Sequence, residues 1–265
     1  MNGVKIIVSR YNENLNWLEE DPFRDFNFIV YNKGENDDFN KTNVVNIIRL
    51  PNIGKCDHTY LYHIINNFDN LDDILIFLPG SLNISSKKSK AIEMLERIKI
   101  NNFQNAVFIG DYSRSILKEF YDFTLSNWCS SSSDNYEKNN SCSVFPANIQ
   151  PFGRWYLHNF GNIPVNYYTF QGIFSVHKND ILQHSKYRYE KLLQQLEIDP
   201  HPEAGHYVER SWGAIFYPMK NTKVLVNKSQ YFARPSNVVI RKPRVIRRLP
   251  KTFIRLKRKG IFNKK

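Results

Sequence analysis

The stretch from Leu50 to Ser81, LPNIGKCDHTYLYHIINNFDNLDDILIFLPGS, constrains the fold more than any other. After an Asn-x-Gly turn, Leu61, Ile64, Ile65 and Phe68 fall at i, i+3, i+4 and i+7, the single apolar stripe of an amphipathic helix. Ile74 to Leu78 is then apolar without a break, as a strand covered on both faces must be. A helix leading into such a strand, which halts at Pro79-Gly80-Ser81, belongs to an α/β sheet whose strand tips face a ligand crevice.

The flanking sequence extends the pattern. Val4–Ser9 reads as a first strand running into Arg10-Tyr11-Asn12-Glu13, followed by a short helix through Trp17 and Leu18. Asn27–Asn32 and Val44–Leu50 read as the second and third strands. The order β-α-β-β-α-β implies a mostly parallel central sheet flanked by helices. Beyond it, Ser85 or Ser86 can cap a helix with the stripe Ala91, Met94, Leu95 and Ile98, and Ala106–Gly110 is a further strand. Residues 122–150 make a long irregular segment, and Phe152–Phe160 an aromatic helix. Tyr167–His177 reads as one strand interrupted at Gly172. Two helices follow, one striped by Tyr189, Leu192, Leu193 and Leu196, the other running from Pro202 to about Phe216.

The net charge of +12 suggests nucleic acid until it is located. Residues 234–265 hold 13 of the 37 Lys and Arg and no acid, leaving 24 bases against 25 acids in residues 1–233. The basicity therefore belongs to a tail, and 1–233 is expected to be the folded domain. From Arg241 to Lys265 the bases alternate with Val245, Ile246, Leu249, Phe253, Ile254, Leu256, Ile261 and Phe262, as in a basic helix lying on a surface. An anionic membrane is one partner for it, nucleic acid is the rival, and a solvated tail is the plain reading. Three cysteines are too few for a disulfide framework, although Cys129 and Cys142 could bridge in an oxidising compartment. No signal peptide precedes Val4 and no apolar run spans a bilayer, so the expected location is cytoplasmic, peripheral on a membrane if the tail binds one.

Three places can carry chemistry. The first is the strand tip Arg10-Tyr11-Asn12-Glu13, where α/β proteins bind phosphates, or equally a capped helix start. The second is Asn52-x-Gly54-Lys55 with Asp57-His58, a helix N-terminus able to receive a phosphate. The third is PEAGHYVERSW at 202–212, where His206 and Arg210 lie opposite the apolar stripe and Glu209 at its edge. A carboxylate so placed can be tuned as a general base, and its plain counterpart is a surface Glu-Arg pair worth about 0–1 kcal/mol. No His/Cys cluster has metal-ligand spacing, and no P-loop, G-x-S-x-G or G-x-G-x-x-G is present.

Five blocks, SRYNENLNWL, VYNKG, the Leu50–Ser81 stretch, FQGIFSVHKNDI and GHYVERSWGAIF, resemble in order the family designated DUF3431, over most of residues 4–218. That family is similar to GT-A glycosyltransferases, so the resemblance implies a GT-A-like α/β domain binding a nucleotide sugar at the C-terminal edge of its sheet. It implies a donor site at Arg10, Asn12, Glu13, Lys33, Asn52, Gly54, Lys55, Gly80 and Ser81. It implies an acceptor or leaving-group site at Gln171, Gly172, His206, Arg210 and Trp212, with Glu209 as general base. The partners would be a nucleotide sugar and a carbohydrate or lipid-linked acceptor. The chain departs from the pattern at Pro79-Gly80-Ser81, where the metal-binding Asp-x-Asp would stand, so a divalent cation lacks its ligand pair. Two functions remain open: sugar transfer, with basic groups neutralising the diphosphate, or a non-catalytic carbohydrate- or nucleotide-binding module that keeps the fold.

Overall fold

The computed structural model describes residues 3–125 and 145–227 and the backbone of 238–241. Four strands follow from the first part of the chain: β1 (Val4–Arg10), β2 (Phe28–Asn32), β3 (Val44–Arg49) and β4 (Ile74–Pro79). Helix α1 (Lys55–Asn66) links β3 to β4, and two 3-10 turns, Asn16–Glu19 and Phe23–Asp25, link β1 to β2. Then come α2 (Ser85–Ile100), β5 (Ala106–Tyr112), α3 (Ile116–Glu119), α4 (Phe152–Phe160), β6 (Tyr167–Tyr168) and β7 (Phe174–His177). Helices α5 (Lys178–Leu182), α6 (Lys186–Gln194) and α7 (Glu203–Ile215) precede β8 (Thr222–Asn227) and β9 (Val238–Arg241).

The strands form two sheets, β3-β2-β1-β4-β7 and β6-β5-β8-β9. They are mixed, which corrects the mostly parallel expectation: β7 runs antiparallel to β4 and β6 antiparallel to β5, while the remaining pairs are parallel. The reversal comes from the turn at Gln171-Gly172. It divides the expected single strand 167–177 into β6 in one sheet and β7 in the other. Ser175 stitches the sheets together, its hydroxyl accepting from Val107 N–H at 2.8 Å and donating to the Val107 carbonyl at 2.9 Å.

Alternation along the central strands explains their unbroken apolarity. Ile7, Leu75 and Phe77 pack into a core roofed by α1, α4, α6 and α7. Ile6, Val8, Ile74, Ile76 and Leu78 pack on the opposite face beneath Trp17, Phe23 and the α2 stripe of Ala91, Met94, Leu95 and Ile98. Helix α2 begins after Ile84 with no side-chain cap, so Ser85 is its first residue and neither serine caps it.

The layering locates a crevice. From β1 the chain steps outward to β2 across one face, returns from β3 to β4 across the other, and so leaves β1 and β4 with diverging connections. Their C-terminal tips form the topological switch point at which α/β sheets hold ligands. No helix among the described residues is long and apolar enough to cross a membrane. Cys129, Cys142 and residues 242–265 lie outside the described residues.

Candidate functional site

The N-terminus of α1 meets the switch point through an unusual turn. Gly54 (φ 59°) and Lys55 (φ 50°) are both left-handed. Lys33, buried in the loop after β2, pins this turn by donating from its ammonium to the Ile53 carbonyl at 2.6 Å and to the Lys55 carbonyl. Burial lowers its pKa to about 8 against the pull of Cys56 and Asp57. His58, one step further, is buried, stacks on Tyr62 and is held neutral, its pKa pushed down to about 4 by burial and then by Lys33.

Asp57, in the first turn of α1, is buried and accepts a hydrogen bond from Trp212 Nε1 at 2.8 Å. Burial, and next the like charge of Glu209, raise its pKa to about 7, while the Trp212 hydrogen bond, Lys55 and Lys33 oppose the rise. Burial and the same two carboxylates push the Cys56 thiol well above its ordinary value.

Glu209 stands on α7 one turn before Trp212. Its Oε1 accepts from the backbone N–H of Gln171 at 2.9 Å, and the side chain is half-buried. Gln171 (φ 74°) and Gly172 (φ 64°) are again consecutive left-handed residues. At Gly172 the conformation and the space both demand glycine, because a Cβ would lie 2.8 Å from Cys56 Sγ. The Gly172 carbonyl accepts from Tyr60 on α1 at 2.8 Å. The turn is thus held between α1 and α7, and a non-glycine residue in this strained region is a recurrent feature of functional sites.

Cations ring the two carboxylates. Lys55 Nζ lies 3.0 Å from His206 Nε2. Burial and the charges of Lys55 and Arg210 drive the His206 pKa well below its ordinary value, so its neutral ring can accept from Lys55. Lys87 donates to Ser81 Oγ at 2.7 Å and is close enough to pull against the Cys56 shift. At the β4 tip, Glu13 reaches over from the β1 loop: a Cβ on Gly80 would sit 2.8 Å from its Oε2. That oxygen accepts from Tyr11 N–H at 2.7 Å. The position without a carboxylate of its own is therefore covered by one from the loop after the neighbouring strand.

The other expected site residues take different places. Asn12 and Asn52 are exposed. Arg10 is buried and turned towards the loop after β2, donating to Asn32 Oδ1 at 2.7 Å, the Asn36 carbonyl at 2.9 Å and Asn36 Oδ1 at 3.0 Å. Trp212 is fully buried and positions Asp57. Arg210 does not lie on an exposed helix face as expected. It is buried against Phe120, Phe123 and Phe170, with its carbon centre 3.9 Å from the Phe123 ring, and donates to the His206 carbonyl at 2.9 Å.

The fold therefore gathers Lys33, Gly54, Lys55, Gln171, Gly172, His206 and Glu209 around Asp57, beside Ser81 and Lys87. Sequence reasoning took Asp57 only as part of a helix start able to receive a phosphate, gave it no role of its own, and passed over Lys87. An acid in a first helical turn reads as a partner of the helix dipole, and nothing local reveals that Trp212 and Glu209 lie against it. Among the described residues no group of three His, Cys, Asp or Glu side chains is placed to hold a metal, and Glu13 alone at the β4 tip does not make a protein-built cation site.

These features define a mixed α/β protein with a carboxylate pair and a ring of cations at the switch point of its sheet. The chain belongs to the family DUF3431, described as a protein of unknown function, whose model matches residues 6–232. No curated protein and no solved structure matches it.

Proposed function

We propose that this protein is a glycosyltransferase of GT-A type, moving a sugar from a nucleotide-sugar donor to a hydroxyl acceptor. The observation that carries the reading is the half-buried Glu209, fixed through one oxygen by Gln171 N–H beside ammonium groups at the switch point. Glu209 takes the proton of the acceptor hydroxyl, whose oxygen bonds to the anomeric carbon. The bond from that carbon to the diphosphate breaks, and its electron pair leaves with the nucleotide diphosphate. Lys55 and Lys87, with the N–H groups of the first turn of α1, stabilise the charge that develops there. Asp57, kept in part protonated by burial, lets two carboxylates share the site without two full negative charges.

A non-catalytic binding module is the second reading, favoured by the absence of a carboxylate at Pro79-Gly80-Ser81. Titration calorimetry and turnover measured on a panel of nucleotide sugars separate the two. For the transferase, Glu209→Gln lowers sugar transfer or donor hydrolysis by about 10²–10⁴-fold while nucleotide binding survives. Wild-type binding without turnover selects the module, and no binding rejects both.

A further inference from the structure

A groove of about 540 Å³ lies between α2 and the C-terminal tips of β5 and β8, with Gln171 in its lining. The volume falls within the roughly 300–1,000 Å³ of small-molecule sites. Ser86 and Ser89, the acids Glu93, Glu96 and Asp111, and one aromatic residue, Phe170, are in its lining. Among the described residues the one ammonium in the lining is that of Lys90, which donates to Thr169 Oγ1 at 2.6 Å and to the Phe170 carbonyl at 2.9 Å. Arg97 stands 3.8 Å from Glu93 outside the groove lining. Among its described lining residues the groove thus holds three acids and one base, whereas the ring of Lys33, Lys55 and Lys87 is basic. The two meet at Gln171: its N–H holds Glu209, and its side-chain amide lies 3.5 Å from Ser86 Oγ.

We propose that this groove binds a carbohydrate that carries no negative charge, uncharged or amino-bearing, beside Gln171, the residue whose N–H holds Glu209. Hydroxyls and carboxylates in the lining suit the many O–H donors of a sugar, and the Phe170 ring offers an apolar face to its C–H side. Three acids against the one base of Lys90 disfavour a phosphate or a uronic acid, so the anionic donor is directed to the basic side and the acceptor to the groove. As an acceptor site the groove rests on the transferase reading; as a carbohydrate site it does not.

The test is calorimetry on the full chain with methyl glucoside, glucosamine, glucose 6-phosphate and, separately, UDP, GDP and ADP. The expected result is millimolar binding of methyl glucoside and glucosamine, with glucose 6-phosphate at least tenfold weaker. Ser89→Trp fills the groove from an exposed helix position, and should weaken both sugars at least tenfold without changing nucleotide binding. Glu93→Gln combined with Asp111→Asn should narrow the discrimination against glucose 6-phosphate. Sugar binding unaffected by Ser89→Trp overturns the proposal, as does equal or tighter binding of glucose 6-phosphate or no binding of any sugar. Sugar binding lost in Ser89→Trp, in a chain that binds none of the three nucleotides, upholds the carbohydrate site and removes the transferase reading instead.

Discussion

At the scale of single residues, Asp57 ties the chemistry to stability. Its pKa rises from an ordinary 3.8 to about 7, so between those values the folded protein holds a proton that the unfolded chain releases. More protons on the folded state means that stability falls as pH rises through this window; Asp57's contribution is complete below pH 3.8 and lost by about pH 7. Asp57→Asn keeps an acceptor for Trp212 Nε1 and removes the titration. Its melting temperature relative to wild type should therefore rise between pH 4 and pH 8, by up to about 4 kcal/mol of equivalent stability for a shift of this size. A difference in melting temperature that stays flat with pH would show that Asp57 is ionised throughout. Gly172 tests the geometry in another way. Gly172→Ala meets a φ of 64° and Cys56 Sγ at 2.8 Å, so a loss of about 1–3 kcal/mol in urea unfolding is expected. Activity should fall further than stability, because the same turn aims the Gln171 N–H at Glu209.

At the scale of elements, α7 organises the site. Its first residue, Glu203, is buried and accepts from the N–H groups of Leu125 and Ala147 at 2.9 Å each and from Tyr207 Oη at 2.9 Å. The same helix carries Glu209 towards Gln171 and Trp212 towards Asp57. Glu203→Ala strands these donors, each at a cost of about 1–3 kcal/mol, and its urea midpoint should drop accordingly. A midpoint unchanged from wild type would mean that water replaces the carboxylate. The helix from Pro202 to about Phe216 was legible in the sequence; Val208, Trp212, Ile215 and Phe216 recur at the helical period, and all four are buried. Burial of Arg210 was not legible, since charge at i+4 from His206 looks like a solvated face. Only Phe120 and Phe123, from the segment after α3, and Phe170, from the β6–β7 turn, create the apolar surroundings that cover it.

At the scale of the whole molecule, charge is divided. The domain is nearly neutral, with a basic ring and a groove whose described lining holds three acids and one base, while the bases of the chain concentrate past residue 240. The backbone of Val238–Arg241 pairs with β8 as an edge strand, so a truncation that probes the basic tail should keep residues through 241. On vesicles containing phosphatidylserine, the full chain is expected to pellet and a 1–241 chain to stay in solution, with the difference shrinking as salt rises. Equal pelleting of the two chains removes the membrane partner. A salt-sensitive shift with duplex RNA or DNA, seen only for the full chain, assigns the tail to nucleic acid instead.

The sequence by itself determined the local elements and the switch-point strands, because hydrophobic period is a local property: two for β1 and β4 with both faces covered, near four for α1 and α2. It also marked Glu209 and the Gly54-Lys55 turn. Tertiary structure alone decided the direction of β7, since reversal depends on which sheet the chain joins after Gln171-Gly172 and not on the strand's own residues. It alone decided that Glu13 covers Gly80, that Trp212 on α7 grips Asp57 on α1, and that Lys33 pins the turn before α1. These contacts join residues up to 155 positions apart, and burial, which sets the protonation of Asp57, exists only once they are made.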